Sequence, residues 1–303
     1  MRNRIQRHLK LESLEDKCLL AGDVTVSVVE GNLRIEGDAA DNGVAITSGD
    51  TADSYIVAGL PSDDGTPTTI NGATERVEVT GVTGNMRIGL GEGNDGLRMF
   101  NANVRGNVGI NMGVGNDSVQ IGGPVSTTRD VNSLIHGRVA VAMAEGRDSL
   151  RIDNAGIGRG MEAHGGDGND SILVNRSRLR GTVSLATGQG DDNVGINDSR
   201  AAFVRIGTGD GADNVALVDS AFTAVGFNGG TGDDDLAISG IRARGVWFNG
   251  GEGEDRLRFE GPNRVGLVRI TGFEIIEGVS GDGANALNDD LVGYEIDDAT
   301  QIS

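Results

Sequence analysis

Gly165-Gly-Asp-Gly-Asn-Asp-Ser-Ile-Leu-Val174 is a tight acidic turn followed at once by apolar residues two apart. Its core recurs as Gly91-Glu-Gly-Asn-Asp95, Gly113-Val-Gly-Asn-Asp117, Ala144-Glu-Gly-Arg-Asp148, Gly166-Asp-Gly-Asn-Asp170, Gly188-Gln-Gly-Asp-Asp192, Gly209-Asp-Gly-Ala-Asp213, Gly230-Thr-Gly-Asp-Asp234 and Gly251-Glu-Gly-Glu-Asp255. Successive final Asp residues are 22, 31, 22, 22, 21, 21 and 21 positions apart. A fixed period of this length marks a solenoid, in which each repeat is one coil stacked on the last.

Counting from each repeat Asp, apolar residues fall at plus two and plus four, from Leu97/Met99 through Ile172/Val174 to Leu257/Phe259. A second pair stands nine and seven before the Asp, from Met86/Ile88 through Val183/Leu185 to Val246/Phe248, and Val268/Ile270 continues it. Apolar residues two apart are the pattern of a strand with one buried face. A weaker apolar position at plus nine (Val104, Ile157, Leu179, Phe222) predicts a third short strand. Two or three strands of about four residues and tight turns fill such a coil, whereas a helix does not fit it. The expectation is all-β: a right-handed parallel β-helix with 21–22-residue coils and irregular caps at both ends.

The composition agrees. Glycine supplies 51 of 303 residues without a collagen period, so the excess belongs to turns that need positive φ. Aromatics are 3 %, as expected of a narrow interior filled by Val, Ile and Leu. No apolar run approaches the ~18 residues of a membrane span, and the lone Cys18 has no internal disulfide partner. Residues 1–21 read as a leader-like segment and 22–80 as a cap with irregular first coils. Within the latter, Gly37-Asp-Ala-Ala-Asp41 reads as a degenerate first turn. Residues 81–272 are the regular array, and 273–303 a far cap with an acidic tail. The 31-residue spacing places an inserted loop in residues 122–133.

The net charge is −19, and beyond residue 21 there are 21 basic against 42 acidic residues, with no Lys after Lys17. Such a surface repels nucleic-acid phosphates and anionic membranes. Stacked coils lie ~4.8 Å apart, where ionised Asp neighbours repel by roughly 1 kcal/mol in water and ~3–4 kcal/mol at an effective dielectric of 20. The side chains therefore either splay into water or share a divalent cation. Calcium suits the second arrangement, because it takes carboxylate and carbonyl oxygens in a tolerant geometry.

Gly165-Gly-Asp-Gly-Asn-Asp-Ser-Ile172, Gly229-Gly-Thr-Gly-Asp-Asp-Asp-Leu236 and Gly250-Gly-Glu-Gly-Glu-Asp-Arg-Leu257 resemble the hemolysin-type, or RTX, calcium-binding motif Gly-Gly-x-Gly-x-Asp-x-hydrophobic. The resemblance implies calcium between stacked turns, held by loop carbonyls and the motif Asp. It points first to Asp170, Asp234 and Asp255, with Gly166, Gly168, Gly230, Gly232, Gly251 and Gly253 supplying carbonyls. Asp95, Asp117, Asp192 and Asp213 match apart from the first Gly, and Asp148 is the most degenerate, with Ala144 and Arg147 in its turn. RTX repeats follow every nine residues and make two turn columns, whereas each coil here makes one. The competing reading of the same turns is metal-free, with Asx hydrogen bonds closing them.

Leu11-Glu-Ser-Leu-Glu-Asp-Lys-Cys-Leu-Leu-Ala21 is similar to the LEPR-XLL-type segment that opens many large bacterial surface and secreted proteins, without its Pro-Arg. It implies export, and weak calcium sites fill at extracellular calcium levels. The expected protein is an extracellular or cell-surface, calcium-stabilised structural or adhesive module. Its expected partners are calcium and cell-surface glycans or other surface proteins. The alternative class is a polysaccharide-active β-helix enzyme of the pectate lyase or polygalacturonase kind, using carboxylate pairs such as Asp191/Asp192 or Asp233/Asp234. Against it, the Asp residues recur in every coil, whereas catalysis needs one unique site. His8, His136 and His164 stand apart from any second ligand, and Trp247, between core positions, points outward.

Overall fold

The computed structural model describes residues 22–61, 65–123, 132–278, 294–297 and 301–302. The leader-like segment and most of the inserted loop lie outside these residues. The described residues form strands and turns and no helix, so none of them offers a helix able to cross a membrane. Parallel strands stack into two long sheets that run the length of a β-helix. One sheet carries the strands that lead into each acidic turn, such as Met161–Asp167, Ala221–Thr231 and Arg242–Glu252. The other carries the five-residue strands that leave it, such as Ser171–Asn175 and Asp235–Ser239.

The expected ladders are the core. Every plus-two and plus-four residue, and every residue nine and seven before an Asp, is buried. Coils stack in strict register: Leu150 on Ile172 on Val194, and Met161 on Val183 on Val204. Because each side chain packs on its copy one coil away, removing one leaves a gap that neither neighbour closes. Ile172→Ala should cost about 2–5 kcal/mol, read as a lower urea midpoint with intact far-ultraviolet dichroism before melting.

The third strand exists, and is short only in the early coils, as Asn103–Val104 and Ala155–Ile157. From residue 178 it fuses with the next strand into runs of 8 to 12 residues, such as Arg178–Gln189 and Arg264–Thr271, so strands are longer than the four residues expected. The coil therefore has a vertex at the acidic turn and a short third side facing it. Two antiparallel hairpins close the N-terminal end, Asp23–Val29 with Asn32–Glu36 and Gly43–Ser48 with Tyr55–Gly59. Their inner strands pair in parallel with the first regular coil. At the other end the sheets continue past residue 272 through Ile275–Glu277, Tyr294–Asp297 and Gln301–Ile302. The ladders on either side of the inserted loop remain in register, Val119 with Leu150 and Ile110 with Val141.

Candidate metal centre

Side chains alternate along a strand, so an Asp two residues before a buried position belongs on the inner face. All eight repeat Asp residues are 3 % exposed or less, and none splays into water. One oxygen of each is spent on the backbone. Oδ1 of Asp117 accepts the N–H of Asp95 at 2.8 Å, and the pattern repeats through Asp148, Asp170, Asp192, Asp213, Asp234 and Asp255 at 2.7–3.0 Å. Asp255 in turn donates its N–H to Glu274 at 2.7 Å. The column thus hydrogen-bonds each turn to the next through a carboxylate; these bonds run between coils instead of closing a turn locally as an Asx turn does, and they leave each Asp one oxygen.

That second oxygen, Oδ2, is buried without a hydrogen-bond partner in all eight. Burial pushes the carboxyls up, to about 7 at Asp95, Asp170 and Asp234 and about 6 at Asp117, against the backbone N–H bond that lowers each. Asp148, Asp192, Asp213 and Asp255 are raised by the same cause. A buried acceptor left unpaired costs about 1–3 kcal/mol, so eight in one column call for a proton or a cation.

The first coil shows what surrounds Oδ2. Asn42, not Asp41, takes the repeat position there, since its N–H donates to Asp95 Oδ1 at 2.7 Å. Asp41 lies one place earlier and receives the Asn94 N–H at 2.7 Å. The Asn42 side-chain amide donates to the carbonyls of Asp38 (3.2 Å), Ala40 (2.6 Å) and Leu90 (3.3 Å), and these acceptors fix which amide atom is nitrogen. The register carries these three carbonyls onto Gly166, Gly168 and Thr187 around Asp170, onto Gly230, Gly232 and Gly250 around Asp234, and onto Gly251, Gly253 and Gly272 around Asp255. Where Asn42 supplies a donor, these coils present a carboxylate oxygen.

The residue five before the Asp decides how much room remains. At Gly229 a Cβ would lie 2.0 Å from Asp234 Oδ2 and 2.1 Å from the Gly250 carbonyl oxygen. At Gly165 it would meet Asp170 Oδ2 at 2.3 Å and the Thr187 oxygen at 2.6 Å, and at Gly250 the Gly272 oxygen at 1.9 Å and Asp255 Oδ2 at 2.5 Å. Two acceptors with no donor crowd each of these points, and carboxylate and carbonyl oxygens are the ligand type that a hard cation such as calcium takes. These are the three coils with the full Gly-Gly motif. Thr187 and Thr208 stand at the same place beside Asp192 and Asp213 and give their hydroxyl protons to the Thr208 and Gly229 carbonyls, at 3.0 and 2.9 Å. Leu90, Met112 and Met143, all buried, fill it beside Asp95, Asp117 and Asp148.

The turn glycines are needed for their backbone. Gly230 and Gly232 have φ of 118° and 113°, and a Cβ on either would come within 2.0–2.1 Å of the carbonyl oxygen of Gly209 or Gly211. Ala144 accepts the same left-handed conformation at φ 84°. Asp148 nonetheless joins the hydrogen-bonded column as fully as its neighbours. Among the described residues no three carboxylate, imidazole or thiol groups converge on one point. A cation in this column therefore relies on backbone carbonyls and one carboxylate.

Asp191 and Asp233 are exposed while Asp192 and Asp234 are buried, so neither pair presents two carboxylates on one face. A second inner column, which the apolar pattern did not reveal, runs down the opposite turn. The N–H of Ala155 donates to Ser177 Oγ, that of Ser177 to Ser199 and that of Ser199 to Ser220, at 3.0–3.1 Å. His136 and His164 are exposed, and Trp247 points outward at 44 % exposure. Compared with protein-family models, curated proteins and solved structures, the chain matches none.

Proposed function

We propose that the chain is a calcium-stabilised structural or adhesive β-helix of the bacterial cell surface or extracellular space. The observation that carries this reading is the contrast between Asn42, whose amide satisfies the carbonyls around it, and the Asp residues of the Gly-Gly coils, whose Oδ2 faces such carbonyls with no donor. Asp170, Asp234 and Asp255 with the carbonyls of Gly166, Gly168, Gly230, Gly232, Gly251 and Gly253 are the favoured ligands. Asp192 and Asp213 follow, and Asp95 and Asp117 come last because Leu90 and Met112 occupy their space. Calcium there supplies charge neutralisation to a buried carboxylate. Sites with one carboxylate each are weak and suit millimolar extracellular calcium. The export-type segment at residues 11–21 supports the same compartment. A polysaccharide-active enzyme is the less favoured reading, because the two acid pairs that would serve it diverge, and a groove of ≈ 610 Å³ on the outer face between Val29, Arg34, Arg87 and Arg138 includes no turn Asp.

The test is isothermal titration of calcium into the intact chain, with Asp234→Asn and Asp255→Asn singly and together. Each variant should lower the stoichiometry by one. Each should also raise the stability of the calcium-free protein by about 1–3 kcal/mol, because an amide nitrogen then does what Asn42 does in the first coil. No uptake of calcium at millimolar concentration would leave the Asp column as a proton-bearing turn ladder and remove the calcium reading.

A further inference from the structure

Across the last five acidic turns the coil carries opposite charges on opposite sides. The third side, remote from the Asp vertex, presents Arg178, Arg180, Arg200, Arg242, Arg244 and Arg264, all exposed. Four of them share one in-register column, Arg178–Arg200–Ala221–Arg242–Arg264. None makes an ion pair or a side-chain hydrogen bond among the described residues, whereas nearby Arg176 is held by Asp153 at 2.6 Å. Asp198 and Asp219, at the turn before the column, make no ion pair with it.

The vertex of the same five coils presents Asp167, Asp191, Asp210, Asp233, Glu252 and Glu254, exposed and free of ion pairs, with no basic residue among them. Asp167, Asp210 and Glu252 belong to one column, Asp167–Gln189–Asp210–Thr231–Glu252. Both series repeat with the coil spacing of ~4.8 Å. Stacked arginines at that spacing repel one another, and the only carboxylates that share a groove with them among the described residues, Asp198 and Asp219 beside Arg200 and Arg242, form no direct ion pair. Phe203 and Leu267, 50 % and 44 % exposed, share one in-register column through Ala224 and Gly245, three residues beyond Arg200 and Arg264, and the Trp247 ring, 44 % exposed, reaches over Gly245 from the neighbouring column. Arginine beside exposed aromatics is the composition of a protein interface.

We infer that the arginine side receives the acidic vertex of a second copy of this chain. The two series total six arginines and six carboxylates across the same five coils, and equal periods let them run alongside each other when parallel copies are set side by side, with Ala221 leaving one coil without an arginine. The contact is heterologous: each docked copy still offers one free arginine side and one free acidic vertex, so the association grows into rows. This inference is independent of the calcium reading, since the vertex carboxylates it uses are outward-facing neighbours of the buried column.

The test uses the full chain in chelator and again in calcium, by sedimentation velocity. At ~0.02 M salt the wild type should form oligomers that dissociate to monomers by ~0.5 M salt. One variant carries Arg178→Gln, Arg200→Gln, Arg242→Gln and Arg264→Gln; the other carries Asp167→Asn, Asp210→Asn, Glu252→Gln and Glu254→Gln. Circular dichroism should show both folded, since all eight residues are exposed. Each alone should be monomeric, and an equimolar mixture should stop at dimers, because only one complementary pair of surfaces remains. General repulsion between acidic molecules predicts the opposite for the second variant, which would then associate more readily than wild type. That result would overturn the inference. So would a wild type that stays monomeric at low salt, including one whose arginine side instead retains a soluble polyuronate. Loss of calcium uptake with self-association intact would remove the proposed function and leave this interface standing.

Discussion

Calcium at a hundredfold excess over its dissociation constant should raise the stability of this protein by about 2.7 kcal/mol for each site filled. Three Gly-Gly coils make that about 8 kcal/mol, comparable with the ~5–15 kcal/mol margin of an ordinary domain. The gain has a local origin. Asp170, Asp234 and Asp255 each bury an unpaired oxygen beside a carbonyl oxygen, and a divalent cation converts that mutual repulsion into coordination. Solenoid coils contact only their neighbours, so the effect should concentrate between residues 165 and 272 and leave the Leu90, Met112 and Met143 coils nearly as they were. Thermal melts with hydrogen exchange resolved by region would show both the shift and its location. Magnesium should do less, because it holds its waters and demands octahedral geometry. Monovalent salt at equal ionic strength should reproduce only the screening of exposed charge. Equal melting in calcium and in chelator would mean that protons, not calcium, occupy the column.

The periodicity that reveals the coil also carries much of the site. Asp170 stands two residues before Ile172 and so shares its buried face, a parity present in every copy of the turn. The full Gly-Gly motif likewise singled out the three coils in which a Cβ is missing beside Oδ2. Alternation fails at the opposite turn. There Asp198 and Asp219 take left-handed φ of 49° and 47°, and the chain reverses between Ile196 and Ser199. Strand parity is lost, which hides the Ser177–Ser199–Ser220 column. Asn42 was hidden for another reason. Its turn has neither the Gly-x-Gly spacing nor an Asp at the repeat position, and its register is set by the pairing of Leu33 with Met86 on one side and of Gly43 with Gly96 on the other. The arginine column, by contrast, is readable from the period alone once plus eight is tracked: Arg178, Arg200 and Arg242 stand there, and Arg264 is one residue later.

Without calcium, stability should be greatest near pH 4, around the carboxyl value of the unfolded chain, and fall steadily to about pH 7.5. The sign follows from linkage. Burial lifts Asp95, Asp170 and Asp234 from 3.8 to about 7, so between these values the folded chain holds protons that the unfolded chain has released. Folding then takes up protons, and raising the pH opposes it. Each such carboxyl costs about 1.4 kcal/mol per pH unit while it remains protonated in the fold. Three together approach 4 kcal/mol per unit as an upper limit, since coils that ionise early admit water and relax. Surface repulsion at a net charge of −19 pushes the same way, but salt screens it, while the buried part persists at ~0.5 M salt. Calcium should restore stability at pH 8 through Asp170 and Asp234 and have little effect at pH 5, where protons already sit on Oδ2. Asp95, walled in by Leu90, should keep its share of the pH dependence even in calcium. Chemical melts at unit steps from pH 4 to pH 8, for wild type and for Asp170→Asn, separate these contributions. The variant should lose its part of the slope, because an amide neither titrates nor lacks a donor for the Thr187 carbonyl. A calcium-free protein that grows more stable toward pH 8 would mean that the column stays ionised and hydrated in solution.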